Sequence, residues 1–236
     1  MTLARSQAAQ DVGPSPGGWP PTAVVPGGVF QVGSDYGRPD ERPRRLARVD
    51  AFALGLTPVT CDQFRAFLDD TGEAPPPCFD DADFNQPDQP VTSVTWFEAA
   101  AFAEWLGARR GGRWRLPSET EWERAARAGA DLDPPGAPPA GEVPEGSLRG
   151  PWRVARGTPN AYGLFDLGTI VHEWCADWYA APRPASALGP ASLGRRASRG
   201  GSWRHHVRWS PPAARSSLPP TFRYADYGFR VLRELP

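Results

Sequence analysis

This chain is short of the residues that staple a fold together. Its 236 residues hold three cysteines, Cys61, Cys78 and Cys175, none of them in a CxxC pattern. That count argues against a disulfide scaffold or a zinc ribbon. It leaves buried thiols of a reducing compartment as one reading and a single reactive thiol as another. Histidine is as scarce, with only His172, His205 and His206. Net charge is −1, so no electrostatic footprint points to nucleic acid or an anionic membrane. No apolar run is long enough to span a bilayer, and the start MTLARSQAAQDVGPSPGG has no signal-peptide core. The expectation is a soluble cytoplasmic protein with neither a membrane nor a nucleic acid as partner.

What the chain has in excess is proline, glycine and tryptophan: 29, 25 and 10 residues. So much Pro and Gly means short regular elements separated by irregular backbone. Large aromatic anchors suit such a fold in place of long helices. Residues 1–22 read as a flexible N-terminal arm, and 23–236 as one domain with a single large core. Residues 23–33 alternate as a strand pair with Gly27-Gly28 at its turn. Residues 46–56 read as a strand leading into a helix. Thr60 caps a predicted helix over 60–71 that stops at Gly72. Thr95 with Glu98, and Ser118 with Glu121, are capping boxes for helices over 96–109 and 119–128. Trp122, Ala125 and Ala126 of the last are expected to pack on the helix before it. Residues 91–95 read as a short strand or an extended approach to the helix that follows. The chain should end in a strand, since Phe229, Val231 and Leu232 are spaced to pack inward. Few helices, short strands and long loops make an α+β class.

Three ordered blocks carry a resemblance. They are RLPSETEWERAAR at 115–127, PNAYGLFDLGTIVHEWCADWY at 159–179, and Arg-Gly-Gly-Ser-Trp at 199–203 followed by Gly-Phe-Arg at 228–230. With a Pro-Gly-Gly-x-Phe start at 26–30, the chain resembles the formylglycine-generating-enzyme family, also called the sulfatase-modifying-factor family. The resemblance implies a variant of the C-type lectin-like fold. It also implies a calcium ion at the 166–173 turn, held by Asp166 and Glu173 and by backbone oxygens of Thr169 and Val171. A hard cation takes six to eight oxygens, so waters would complete the set. The family's Gly-Asn in this turn is Thr169-Ile170 here. If the turn needs a positive φ at that Gly, Thr169 is strained. The motifs of a further family calcium site, expected within 129–158, are absent.

Formylglycine-generating enzymes carry a copper-binding cysteine pair just after Arg-Gly-Gly-Ser. Here the stretch is Trp203-Arg204-His205-His206-Val207-Arg208-Trp209-Ser210, without cysteine. The expectation is therefore a relative that does not activate sulfatases. Its three histidines all fall in the two blocks that line the family's active site, and imidazoles suit copper or iron. His172, His205 and His206 are the candidate catalytic set. Ser202, Trp203, Arg204, Arg208 and Trp209 are the candidate walls for a small-molecule or peptide ligand. Arg199, Arg215 and Arg230 read as structural anchors. Two functions stand side by side: a metal-dependent oxidoreductase with altered ligands, and a non-catalytic lectin-like binder, retroelement-diversified or not, that uses loop 203–227. A ligand-free structural remnant is the third.

Overall fold

The computed structural model describes residues 18–130, 149–180, 194–204 and 210–236. Among them are three α-helices and ten short strands, the expected α+β class. In chain order these are β1 (Thr22–Val25), β2 (Gly28–Val32), β3 (Arg45–Val49), β4 (Phe52–Gly55), α1 (Cys61–Thr71), α2 (Trp96–Arg110), β5 (Trp114–Arg115), α3 (Glu119–Arg127), β6 (His172–Trp178), β7 (Arg196–Arg199), β8 (Arg215–Leu218), β9 (Tyr227–Gly228) and β10 (Leu232–Glu234).

The helices begin where their caps dictate. Thr60 Oγ1 accepts the Gln63 N–H at 3.3 Å, while Gln63 Oε1 accepts the Thr60 N–H at 3.0 Å. Thr95 with Glu98 and Ser118 with Glu121 repeat this reciprocal pairing at α2 and α3. Each such cap is worth about 1 kcal/mol, because it satisfies N–H groups that the helix leaves unpaired. Gly72 ends α1 at φ 73°, a conformation that costs glycine little.

The strands form two four-stranded sheets, ordered β1-β4-β10-β5 and β8-β7-β6-β9, and a β2-β3 ribbon. Two expectations are corrected here. β1 and β2 do not pair with each other: β1 lies antiparallel to β4, and β2 to β3. Gly27 is the reason the chain can cross between sheets. A Cβ there would come within 2.7 Å of the Ala51 nitrogen. Residues 46–56 accordingly hold most of β3 and all of β4, broken at Asp50-Ala51, where a single strand leading into a helix was expected. The stretch 91–95 takes the second of its two readings, a non-strand approach to α2. The chain does end in one, β10, which lies between β4 and β5.

The core divides by helix. α1 and α2 pack together through Phe64, Phe67, Phe102 and Leu106, and Phe229 stands edge-on to Phe64 and Phe102. The apolar face of α3 turns elsewhere, which corrects a third expectation. Trp122, Ala125 and Ala126 pack on strand residues Val25, Val49, Phe52 and Leu54 and on Leu164. A third cluster gathers Cys78, Phe84, Trp152, Ile170, Val171 and Trp203 beneath the loop that leaves β7. Trp19 packs against Trp105 with ring centroids 5.3 Å apart.

Candidate functional site

β6 is the axis of the site. It runs antiparallel to β7 and parallel to β9, so His172 lies beside Tyr227 and Glu173 beside Gly228. The His172 N–H donates to the Asp226 carbonyl at 2.9 Å, and its ring lies on Tyr227 at 4.9 Å with a 33° tilt. The imidazole is buried.

The loop leaving β7 folds down onto the turn that precedes His172. Gly200, at φ 79°, makes this possible: a Cβ there would lie 2.9 Å from the Gly168 Cα and 3.1 Å from the Trp122 ring. Gly201 N–H then donates to the Gly168 carbonyl and Trp203 N–H to the Ile170 carbonyl, at 3.3 and 3.0 Å. Ser202 Oγ donates to Asp226 Oδ2 at 3.0 Å. Trp203 is buried against Phe84, with Ile170, Val171 and Trp152 in the same cluster. Arg204 is exposed, its guanidinium 4.9 Å from the Trp203 ring centroid. Of the residues read from the sequence, the fold brings His172, Ser202, Trp203 and Arg204 to one place. His205, His206, Arg208 and Trp209 lie outside the described residues. Asp226 and Tyr227, just ahead of the Gly-Phe-Arg block, belong to the same place and were not singled out. Their position beside that block was the available signal.

The calcium set takes a different shape. Glu173 is fully buried and its carboxylate is occupied. Arg230 donates to it from Nε at 2.6 Å and from Nη2 at 2.8 Å, and Trp122 Nε1 adds a third bond at 2.7 Å. Arg230 in turn donates to the carbonyls of Gly55 and Phe165, which makes it the structural anchor read from its position. A guanidinium so placed neutralises Glu173 and fills the space beside it. Asp166 faces another way: Oδ2 accepts the Ala155 N–H at 2.7 Å. Burial pushes the Asp166 carboxyl up to about 6, more than the Ala155 bond and Arg230 pull it down. Thr169 Oγ1 donates to the Asp166 carbonyl at 3.1 Å, and Val171 is buried in the cluster under Trp203. Thr169 does not carry the left-handed backbone; Asp166 at φ 62° and Gly168 at φ 82° do. As placed, Asp166, Thr169, Val171 and Glu173 do not fit a hard dication, because Glu173 already has its cation.

The thiols do not fit copper(I) as they stand. All three are buried. Burial pushes the Cys61 thiol up to about 12 and the Cys175 thiol well above its ordinary value, so neither is a thiolate near neutral pH. Cys78 Sγ donates to the Thr92 carbonyl at 2.9 Å. Among the described residues, no three or more His, Cys, Asp or Glu side chains gather as a metal site. Imidazole remains the donor whose chemistry fits copper or iron, and His172 is the described one.

The comparisons with known proteins agree with this arrangement of blocks. The model of the sulfatase-modifying factor enzyme 1-like domain matches residues 8–235. The chain belongs to that family. Its α+β fold is the family's variant of the C-type lectin-like fold. The formylglycine-generating enzyme of Thermomonospora curvata is 28% identical over 282 residues, covering 88% of this chain and 91% of that enzyme. The solved structure of PvdO from Pseudomonas aeruginosa superposes with a TM-score of 0.75 at 27% identity, over 91% of this chain and 94% of that one. The serine/threonine-protein kinase pkn1 of Chlamydia pneumoniae is 31% identical over 250 residues. That match takes in 90% of this sulfatase-modifying-factor-like chain but spans only 38% of the kinase. No helix among the described residues is long and apolar enough to cross a membrane.

Proposed function

We propose that this chain is a formylglycine-generating-enzyme-like oxidoreductase that uses histidine, not a cysteine pair, to hold a copper or iron ion. On this reading it does not activate sulfatases. The observation that carries the reading is the place of His172. It sits at the first position of β6, beside residues 200–203, which are tied down through Trp203 to Ile170 and through Ser202 to Asp226; in sequence His205 and His206 follow directly on Arg204. His172 with one of His205 and His206 would hold the metal, since adjacent residues in extended backbone point to opposite sides. When bound, such a metal supplies one-electron and dioxygen chemistry. The remaining residues shape the surroundings. Trp203 packs with Ile170 and Val171, the residues that lead into β6. Asp226 fixes the Ser202 hydroxyl. Arg204, with Arg208 and Trp209 further along, offers cationic and aromatic contacts to a small-molecule or peptide ligand. The kinship with a formylglycine-generating enzyme over nearly the full length of both chains supports the reaction class.

A second reading rests on the pairing of Arg204 with Trp203. An exposed guanidinium beside an aromatic ring is a ligand-binding surface that needs no metal. It makes the chain a non-catalytic binder through loop 203–227.

The two readings separate when copper, iron and calcium are measured together in protein purified without added metal. Near-stoichiometric copper or iron supports the oxidoreductase. A metal-free protein that still binds ligand supports the binder.

A further inference from the structure

A cavity of about 380 Å³ is lined by a second set of residues. It is bounded by the segment between β2 and β3, the first turn of α3, the end of β6 and the start of β8. It shares no lining residue with the His172 group. Its volume falls in the range of small-molecule pockets, about 300–1,000 Å³.

Most of the charge on its floor is already paired. Arg215 donates to both oxygens of Glu119 at 2.6 Å. Glu123, fully buried, takes Arg127 at 2.6 Å and Arg199 from the other side, and accepts the Gly33 N–H at 2.7 Å. Among the described residues four charged groups of the lining have no ion-pair partner: Asp40, Asp177, Arg42 and Arg45, of which Asp40 accepts the Tyr179 hydroxyl at 2.7 Å. Asp177 receives the Glu119 N–H on Oδ2 at 2.7 Å but has no cation within ion-pair distance among the described residues. Burial, ahead of its like-charged neighbours, raises its carboxyl above the ordinary value. Arg42 and Arg45 are exposed, and neither has an acidic partner among the described residues; Arg42 donates to the carbonyls of Gly37 and Tyr36, which leaves Arg45 the freer of the two. Arg199, 2% exposed, lines the same cavity with its Nε buried and without an acceptor.

The cavity therefore holds a carboxylate without an ion-pair partner, Asp177, and a guanidinium without one, Arg45, even though Asp40 and Glu41 share the lining. We propose that it binds an amino acid with a cationic side chain, the side-chain cation on Asp177 and the carboxylate on Arg42 and Arg45. A guanidinium suits Asp177 best, since it can meet a carboxylate through two N–H groups at once. The carboxylate requirement selects against plain amines. A free amino acid and the carboxyl-terminal residue of a peptide present the same chemistry, and they differ in whether the mouth must stay open to a chain.

Titration calorimetry with L-arginine, with a peptide ending in arginine, and with agmatine, which lacks the carboxylate, tests this. L-arginine binding supports a free amino acid; binding of the peptide alone supports a chain end. Agmatine should bind at least about tenfold more weakly, the loss expected for one charge-assisted contact. Asp177→Asn keeps an acceptor for the Glu119 N–H and should weaken binding by a similar factor. Arg45→Ser, at an exposed strand end whose side chain makes no hydrogen bond or ion pair among the described residues, should do the same. His172→Phe should change nothing here, which separates this site from the oxidoreductase reading. The proposal is overturned if neither arginine ligand binds at roughly millimolar concentration, or if Asp177→Asn and Arg45→Ser bind as the wild type does.

Discussion

Arg230 Nε lies 2.6 Å from Glu173 Oε2, and both side chains are completely buried. The pair joins β6 to the segment before β10, and its further bonds reach the Gly55 and Phe165 carbonyls. Removing one member leaves an uncompensated charge in the core. Arg230→Met should cost about 3–5 kcal/mol in urea denaturation. The double change Arg230→Met with Glu173→Met should recover most of that loss, since a well-packed apolar pair replaces a buried ion pair at little cost. A double variant as unstable as the single one would show that the backbone carbonyls, not the charge, set the loss.

The same pair predicts indifference to calcium. A calcium ion at a hundredfold its dissociation constant would add about 2.7 kcal/mol. For a chain of this size that is roughly 5–10 °C in melting temperature. With Glu173 neutralised by Arg230, the melting temperature should be the same in a chelator as in millimolar calcium. A shift of several degrees would mean that Glu173 turns to a metal.

Asp166 makes stability depend on pH in a defined direction. Its carboxyl rises from 3.8 to about 6 on folding because it is buried. A raised carboxyl is protonated more readily in the folded state. Its contribution is therefore fully present below about pH 4 and is lost as pH rises through about 6. Asp166→Asn keeps an acceptor for the Ala155 N–H and tolerates φ 62°. It should flatten the pH dependence between 4 and 6 and stabilise the protein at pH 7 by up to about 3 kcal/mol. An unchanged pH profile would assign the dependence to another group.

Buried, protonated thiols predict no formylglycine generation. A peptide with a sulfatase cysteine motif should keep its thiol when incubated with this protein, copper(I) and oxygen, as read by mass spectrometry. Conversion to the aldehyde would contradict the histidine-based reading.

Much of this architecture is legible in the sequence. Capping depends on residues three apart, so Thr60, Thr95 and Ser118 located all three helix starts. The motif blocks located the turn before β6 and the loop after β7. Pairing was not legible where it depends on distant chain. β1 and β2 alternate like a hairpin, but alternation says which face is apolar and not which strand is the neighbour. The partner of Glu173 is 57 residues away in Arg230, and a carboxylate in a familiar motif reads equally as a metal ligand or as half of an ion pair. Trp122, read as a helix–helix contact, instead closes over Glu173 from α3. The cavity beside α3 draws on five separate segments, and no local pattern announces it.

The central claim is that His172 helps to hold a redox metal. His172→Phe tests it most directly, because phenylalanine keeps the packing on Tyr227 and removes the donor nitrogens. Iron(II) and copper(I) would be titrated anaerobically into metal-free wild-type and variant protein, with melting temperature recorded alongside. The account predicts one equivalent of one metal bound by the wild type, and affinity reduced at least about a hundredfold in a variant that still folds. Equal binding by both proteins, or none by the wild type, would contradict it.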